Sequence, residues 1–258
     1  MNQLKALIFD VDGTLAETER DGHRVTFNQA FVAAGLDWEW SVEQYGELLA
    51  VTGGKERILS YLQQYHPNFA PANSELSLKE WIAQLHAAKT AHYTELLRQG
   101  GIALRPGVLR LLTEAKESGI RLAIATTTTP ANVTALLEAA LPGGLEWFEV
   151  IAAGDIVPAK KPAPDIYLYA LAQLQLEPHD CLAFEDSEAG LKSAQQAGLA
   201  TVITVNDYTR AQDFSGAALV LNHLGEPDLP FEVIAGEGEA ATYFDLALAK
   251  NLLNEVRH

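Results

Sequence analysis

The fold is decided by one short stretch near the start of the chain, Ala6-Leu7-Ile8-Phe9-Asp10-Val11-Asp12-Gly13-Thr14. Its first four residues are apolar and predict a buried strand. Buried carboxylates without partners are costly, so we expect Asp10 and Asp12 at the carboxyl end of this strand, facing a cleft and a cation. In open α/β sheets that edge is where ligands bind. Gly13 then permits a sharp turn.

Short apolar runs recur downstream, at residues 121–125, 148–152, 181–184, 201–205 and 219–221. Helical segments separate them, with predicted ends near Ser118, Ala140, Leu176 and Gly198. Strands that alternate with helices predict a parallel sheet with helices on both faces. The fold class is therefore α/β, with a doubly wound, Rossmann-like parallel sheet.

Between the first strand and residue 100 the pattern is helical. Helices are predicted over residues 19–34, 41–51, 55–64 and 78–99, with Ser41 as an N-cap. The absence of a convincing strand indicates an all-α insertion. We place the core domain at residues 1–16 and 104–258 and the helical cap domain at 17–103. The acidic extension after Glu226 is predicted to pack on the core and to end in a helix over 241–256.

The composition excludes several classes of function. The chain has 258 residues, 48% of them hydrophobic, and no apolar run is long enough to span a membrane. A formal net charge of −16 argues against nonspecific binding to nucleic acid or to an anionic membrane. The chain has one cysteine, Cys181, which is typical of proteins in a reducing compartment. The first predicted strand begins at Ala6, so we expect no targeting peptide before it. We expect a cytoplasmic monomer that acts on a small molecule.

Four stretches at predicted strand ends or helix starts are suited to a phosphate. The first is the Asp10–Thr14 turn, and the second is Thr126, a hydroxyl at a strand end beside free backbone N–H groups. The third is the pair Lys160-Lys161 before Pro162, and the fourth is Glu185-Asp186 after the fourth predicted strand. Each has an ordinary structural alternative, because acids, threonines and serines also cap helices and lysines are commonly solvated.

Together the four stretches indicate a site for a cation and a phosphate more specifically than any one of them does alone. Three or four neighbouring carboxylates must be neutralised by a cation, since like charges at close range raise one another's pKa. Oxygen ligands beside a phosphate suit Mg²⁺. A carboxylate there could act as a nucleophile on phosphorus.

In this order, the four stretches resemble the four motifs of the haloacid dehalogenase (HAD) superfamily, and the helical insertion resembles the cap of its subfamily I phosphatases. The resemblance covers nearly the whole chain. Finer features resemble the CbbY group, which is associated with dephosphorylating xylulose-1,5-bisphosphate, an inhibitory by-product of Rubisco. These features are residues 17–24, 35–38, 52–57, 125–133 and 224–227.

The resemblance implies a role for each core motif. Asp10 would attack phosphorus and become an aspartyl phosphate, and Asp12 would act as acid and then as base. Thr126 and Lys161 would hold the phosphoryl oxygens, with Thr127 as a further substrate contact. Mg²⁺ would be bound by Asp10, the backbone carbonyl of Asp12 and Asp186. Glu185 would bind the metal directly, or hold a metal-bound water or Lys161.

Substrate choice would fall to polar residues of the hinge and the cap. The candidates are Glu17, Arg20, His23, Arg24, Lys55 and Lys89. Lys55 follows Gly53-Gly54 at a predicted helix start, where N–H groups and a cation could meet a second phosphate. Each could instead be ordinary surface charge, His23 could be a packed histidine, and Lys89 with Tyr93 could be a surface pair.

Three functions are compatible with these motifs. The favoured one is a Mg²⁺-dependent sugar phosphatase, with xylulose-1,5-bisphosphate as the expected substrate and another sugar phosphate or phosphoglycolate as alternatives. The second is a phosphomutase that resembles β-phosphoglucomutase. The third, a non-catalytic sugar-phosphate binder, is disfavoured because Asp10, Asp12, Lys161 and Asp186 are all present.

Overall fold

The computed structural model describes residues 4–71, 76–238 and 241–255. The chain divides into two compact units, one made of residues 1–17 and 103–258 and the other of residues 18–102. We call them the core unit and the helical unit. None of the helices in these described ranges has the length and apolarity needed to cross a membrane.

The core unit contains one seven-stranded sheet in the order β3-β2-β1-β4-β5-β6-β7. Its strands are β1 (Ala6–Phe9), β2 (Arg121–Thr126), β3 (Phe148–Ala153), β4 (Cys181–Glu185), β5 (Ala200–Thr204), β6 (Leu219–Leu221) and β7 (Val233–Gly236). All pairs are parallel except β6 with β7. The predicted α/β fold with a doubly wound sheet is confirmed. The sequence analysis did not predict β7, a strand of four residues that are all exposed.

The helices belong to both units. The helical unit contains α1 (Arg24–Ala33), α2 (Val42–Leu48), α3 (Gly54–Tyr65) and α4 (Leu78–Arg98). The core unit contains α5 (Val108–Glu117), α6 (Pro130–Ala140), α7 (Asp165–Leu174), α8 (Glu188–Gln196) and α9 (Leu246–Glu255). A π-helical turn, Glu19–His23, precedes α1. The helical unit has no strand within its described residues.

The last helix begins later than predicted. Residues 241–245 are not helical, because Phe231 donates its backbone N–H to the carbonyl of Thr242 and Phe244 donates to that of Leu224. The carboxylate of Asp245 then accepts from the N–H of Leu248 at 2.8 Å and starts α9. The prediction over 241–256 was therefore wrong at its start, and its final residue lies outside the described residues.

Apolar packing explains why the short strands form. Every residue of β1, β4 and β6 is buried, as expected for parallel strands covered on both faces. Phe9 and Phe184, which are in register on two neighbouring strands, stack with ring centroids 4.5 Å apart. The acidic residues Asp10 and Glu185 come directly after these two rings in the chain.

The helical unit has an aromatic core of its own. Trp40 is fully buried, with ring centroids 4.7 Å from Phe27 and 4.9 Å from Phe31. Trp38 is also buried and stacks against His66. These rings form the buried core of the helical unit.

Candidate active site

The sheet brings the predicted motifs to one edge. Strand β1 lies between β2 and β4, and its last residue, Phe9, is in register with Ile124 and Phe184. The N–H of Asp10 donates to the carbonyl of Phe184 at 3.0 Å. Because parallel strands end at the same edge, the polar residues that end or follow these three strands become neighbours.

Lys161 joins the carboxylates at this edge. Its ammonium donates to Asp10 Oδ1 at 2.6 Å, to Glu185 Oε1 at 2.6 Å and to the carbonyl of Ala125 at 2.9 Å. These bonds use all three ammonium protons. The neighbouring Lys160 points elsewhere and pairs with Asp155 at 3.2 Å. Of the two neighbouring lysines, Lys161, which the family resemblance selected, is the one in the buried cluster.

Burial and charge oppose each other in this cluster. Burial raises the pKa of Asp10 to about 7, although Lys161 acts to lower it, and the charges of Glu185 and Asp12 raise it further. Burial alone would lower the pKa of Lys161, but the two carboxylates raise it above its ordinary value. The lysine therefore stays charged, while Asp10 readily holds a proton unless further positive charge is supplied.

Glu185 has a second partner that the sequence analysis missed. The hydroxyl of Tyr167 donates to Glu185 Oε1 at 2.5 Å, and Lys161 Nζ lies 5.1 Å from the centre of the tyrosine ring. Burial raises the pKa of Tyr167 well above its ordinary value, so the hydroxyl stays a donor. The sequence could have indicated this residue, because Tyr167 falls on the apolar face of α7. A buried tyrosine hydroxyl needs a hydrogen-bond partner.

The other oxygen of Glu185 is confined but unpaired. Its Oε2 has no hydrogen-bond partner within residues 4–71, 76–238 and 241–255. It lies against α8, where a Cβ added at Gly190 would be 1.9 Å from it. Only a glycine leaves room for this carboxylate.

Asp186 is oriented by a second missed residue, Asn206. The amide of Asn206 donates to Asp186 Oδ2 at 2.7 Å. The N–H of Tyr208 donates to Asn206 Oδ1 at 2.9 Å, which fixes the amide orientation. Gly13 adopts a left-handed φ of 80°, and a Cβ there would be 2.4 Å from Asp186 Oδ2. Asn206 follows β5, so its position at the same edge was the available signal.

The carboxylates fit a divalent cation. Asp10, Glu185 and Asp186 are buried, and each offers an oxygen within 4.8 Å of the others. Lys161 cannot balance three such charges, and the unpaired Oε2 of Glu185 is a buried acceptor that still needs a partner. An all-oxygen donor set of this kind suits Mg²⁺. The predicted contribution of the Asp12 carbonyl stays a prediction.

Next to the carboxylates lies a helix start. Thr126 is the buried last residue of β2, and its hydroxyl accepts from the N–H of Thr128 at 3.3 Å. Thr129 is the N-cap of α6, with Pro130 in the first turn. Thr127 is half-buried between them. The site thus combines a hydroxyl with the N-terminus of a helix, which is suited to an anion.

A buried arginine holds the loop after β1. Arg105 donates to the carbonyl of Gly13, to that of Thr204 at 2.9 Å and to that of Val205 at 2.6 Å. Its Nε lies 2.8 Å from Glu17 Oε1. The predicted substrate contact Glu17 is therefore exposed but anchored to the core unit through an arginine that sequence analysis did not single out.

In the helical unit, His23 and Lys89 form a buried pair. Lys89 Nζ is 2.6 Å from His23 Nδ1 and lies over the ring of Tyr93, 4.7 Å from its centre. An ammonium only donates, so Nδ1 of the histidine accepts and its proton is carried on Nε2. The alternative of a surface pair between Lys89 and Tyr93 was wrong, because both residues are buried.

The other predicted cations of the helical unit have contacts of their own. Lys55 is in the first turn of α3, after an N-cap glycine, Gly53, with a φ of 99°. Arg24 donates to the backbone carbonyls of Arg20 and Trp40, which holds it against its own unit. Arg20 is exposed, with Asp21 3.7 Å away. Their predicted contacts with substrate stay predictions.

Comparison with known proteins decides the family. Residues 4–198 match the haloacid dehalogenase-like hydrolases. The chain belongs to this family. It is 56% identical over 217 residues to Protein CbbY of Rhodobacter capsulatus, which covers 83% of this chain and 91% of the relative. It is 49% identical over 247 residues to the plasmid-encoded CbbY of Cupriavidus necator, covering 95% of this chain and 94% of that protein.

A solved structure agrees with these relatives. A variant of CbbY from Rhodobacter sphaeroides, in complex with xylulose-(1,5)bisphosphate, superposes with a TM-score of 0.78 at 48% identity. The match covers 86% of this chain and 95% of that one. The resemblance inferred from the motifs is confirmed, and so is the enzyme class, a phosphatase of the HAD family.

Proposed function

We propose that this protein is a Mg²⁺-dependent phosphatase that hydrolyses xylulose-1,5-bisphosphate through an aspartyl phosphate on Asp10. The observation that carries the proposal is the buried contact of Asp10 with Lys161, 2.6 Å apart at the carboxyl edge of the sheet beside two further carboxylates. A nucleophilic carboxylate needs this combination of a fixed direction and nearby positive charge.

The chain's own groups account for the transfer. Asp10 Oδ attacks phosphorus, and the phosphoryl oxygens are received by Lys161 and by Thr126 at the start of α6. Asp12, half-buried two residues further on, gives its proton to the leaving sugar oxygen as the bond from that oxygen to phosphorus breaks. Asp12 then takes a proton from the water that attacks phosphorus, and the bond between phosphorus and Asp10 breaks, which releases phosphate and restores the Asp10 carboxylate. Asp10, Glu185, Asp186 and the Asp12 carbonyl would hold Mg²⁺, which supplies charge stabilisation for the phosphoryl group.

The substrate is inferred from the relatives. The variant of CbbY from Rhodobacter sphaeroides binds xylulose-(1,5)bisphosphate in the solved structure, and this chain is 48% identical to it. A bisphosphate needs a second anion site, and Lys55 in the first turn of α3 provides a cation at a helix N-terminus. Glu17, His23, Lys89, Arg20, Arg24 and Thr127 are the further residues proposed to contact substrate.

Phosphate release from a panel of sugar mono- and bisphosphates tests the proposal. We expect turnover with Mg²⁺, the highest kcat/KM for xylulose-1,5-bisphosphate, and loss of activity in EDTA that Mg²⁺ reverses. Formation of glucose 6-phosphate from β-glucose 1-phosphate is measured alongside, because it would identify a mutase. Full activity without metal, or release from no member of the panel, would contradict the proposal.

A further inference from the structure

We propose that Tyr167 is a positioning residue for this reaction. The inference rests on the proposed function. The hydroxyl of Tyr167 fixes the carboxylate of Glu185, and this carboxylate in turn fixes the ammonium of Lys161. One proton of Lys161 thereby stays directed at Asp10 and the phosphoryl group. The hydroxyl of Tyr167 donates to Glu185 and its ring lies beside Lys161, so its effect on the nucleophile passes through Glu185.

The geometry limits what else could hold Glu185. Its Oε1 accepts from two donors, Lys161 at 2.6 Å and Tyr167 at 2.5 Å. Its Oε2 has no hydrogen-bond partner in the described part of the chain. The orientation of this carboxylate therefore depends on Tyr167, on Lys161 and on its packing against Gly190.

Lys161 is shared between two carboxylates. Its ammonium lies at the same distance, 2.6 Å, from Asp10 Oδ1 and Glu185 Oε1. A second donor on Glu185 Oε1 satisfies part of that oxygen's demand for hydrogen bonds. Without Tyr167, Lys161 would be the remaining donor to Glu185, and the ammonium would move toward Glu185 and away from Asp10.

A neutral donor is needed for this task. A cationic side chain in place of Tyr167 would cancel charge that the three carboxylates need to attract a divalent cation. The tyrosine hydroxyl donates a hydrogen bond without adding charge. A phenylalanine would fill the same space without donating, so the position separates packing from hydrogen bonding.

The test compares Tyr167→Phe with Tyr169→Phe, a matched loss of a hydroxyl from the same helix at a half-buried tyrosine that packs on the core. Isothermal titration with Mg²⁺ alone measures metal affinity, and phosphate release gives kcat and KM. Because outer partners of metal ligands typically contribute tenfold or more, we expect Tyr167→Phe to weaken Mg²⁺ binding and kcat/KM each by about tenfold. The control should change neither by more than about twofold, within the context-dependence typical of surface changes.

A crystal structure of Tyr167→Phe adds a readout that needs neither metal nor substrate. We expect the Lys161 Nζ to Asp10 Oδ1 distance to exceed its present 2.6 Å. A variant that is merely less stable, with that distance, Mg²⁺ affinity and kcat/KM all unchanged, would overturn the inference. If the wild-type protein released phosphate from no substrate, the proposed function would fail, while the crystal structure and the titration would still decide the role of Tyr167.

Discussion

Replacing Asp10 by asparagine should abolish turnover and, at alkaline pH, stabilise the metal-free protein. The asparagine keeps a carbonyl oxygen that can accept from Lys161, but it cannot attack phosphorus or carry charge. The buried carboxylate that serves catalysis is thus expected to lower the free energy of unfolding when no metal is bound.

The size of the effect follows from the surroundings of Asp10. Burial is the main cause that raises its pKa from 3.8 to about 7. Ionising such a carboxyl in the folded protein at pH 8 costs about 4 kcal/mol relative to the unfolded chain. At pH 5 the cost is smaller, roughly 1–2 kcal/mol, because the folded protein still keeps the proton.

The direction in which stability changes with pH follows from the protons bound by the folded and unfolded states. Between about pH 4 and pH 7 the folded protein holds a proton on Asp10 that the unfolded chain has released, so stability falls as the pH rises. Asp10→Asn removes this dependence. Its stability advantage over the wild type should therefore grow by about 2–3 kcal/mol between pH 5 and pH 8.

Urea unfolding in EDTA at both pH values measures this difference. Far-UV circular dichroism is the better probe, because Trp38, Trp40 and Trp81 lie in the helical unit and only Trp147 reports on the core unit. Asp228→Asn, at an exposed position, serves as the control for removing one carboxylate. An advantage of Asp10→Asn that is the same at pH 5 and pH 8 would refute the reasoning.

Three further substitutions test separate parts of the site. Gly13→Ala places a Cβ 2.4 Å from Asp186 Oδ2, at a residue with a left-handed φ. Isothermal titration should therefore show Mg²⁺ affinity reduced by at least about tenfold. Unchanged Mg²⁺ affinity would contradict the close packing of Gly13 against Asp186. Asn206→Ala removes the donor to Asp186 and should weaken Mg²⁺ binding by about 10-fold with little change in circular dichroism. Lys55→Ala should raise KM more for a bisphosphate than for a monophosphate, with Lys79→Ala, exposed on α4, as the control. Equal effects of Lys55→Ala on both substrates would remove it from a second phosphate site.

The edge of the sheet was predictable because its signal is local. Residues 6–9, 121–125 and 181–184 are apolar runs that end in a hydroxyl or in acids, and parallel strands place such ends together. The residue types alone offered two lysines, and the family resemblance selected Lys161 because it directly precedes Pro162. The position of the loop agrees with that choice, since it brings Lys161 to Asp10 and leaves Lys160 beside Asp155.

The supporting residues could not be predicted in the same way. Tyr167, Asn206 and Arg105 lie in three different segments, and each acts on a residue at least 18 positions away. Their side chains carry no motif of their own, so only the tertiary structure shows what they hold. The start of α9 escaped prediction for a related reason, since residues 241–245 bond to distant backbone instead of to the helix.

The position of β1 has a consequence for how the chain folds as it is synthesised. Ala6 is in register with Arg121 on one side and with Cys181 on the other, so β1 cannot pair with either neighbour until more than 100 further residues have been synthesised. The helical unit is continuous in sequence, from 18 to 102, and its contacts close shorter loops. Synthesis therefore delivers a complete helical unit while the nucleophile-bearing strand is still an unpaired, apolar segment. An unpaired apolar strand is prone to aggregation, and β1 remains such a strand on one side until β4 has been synthesised.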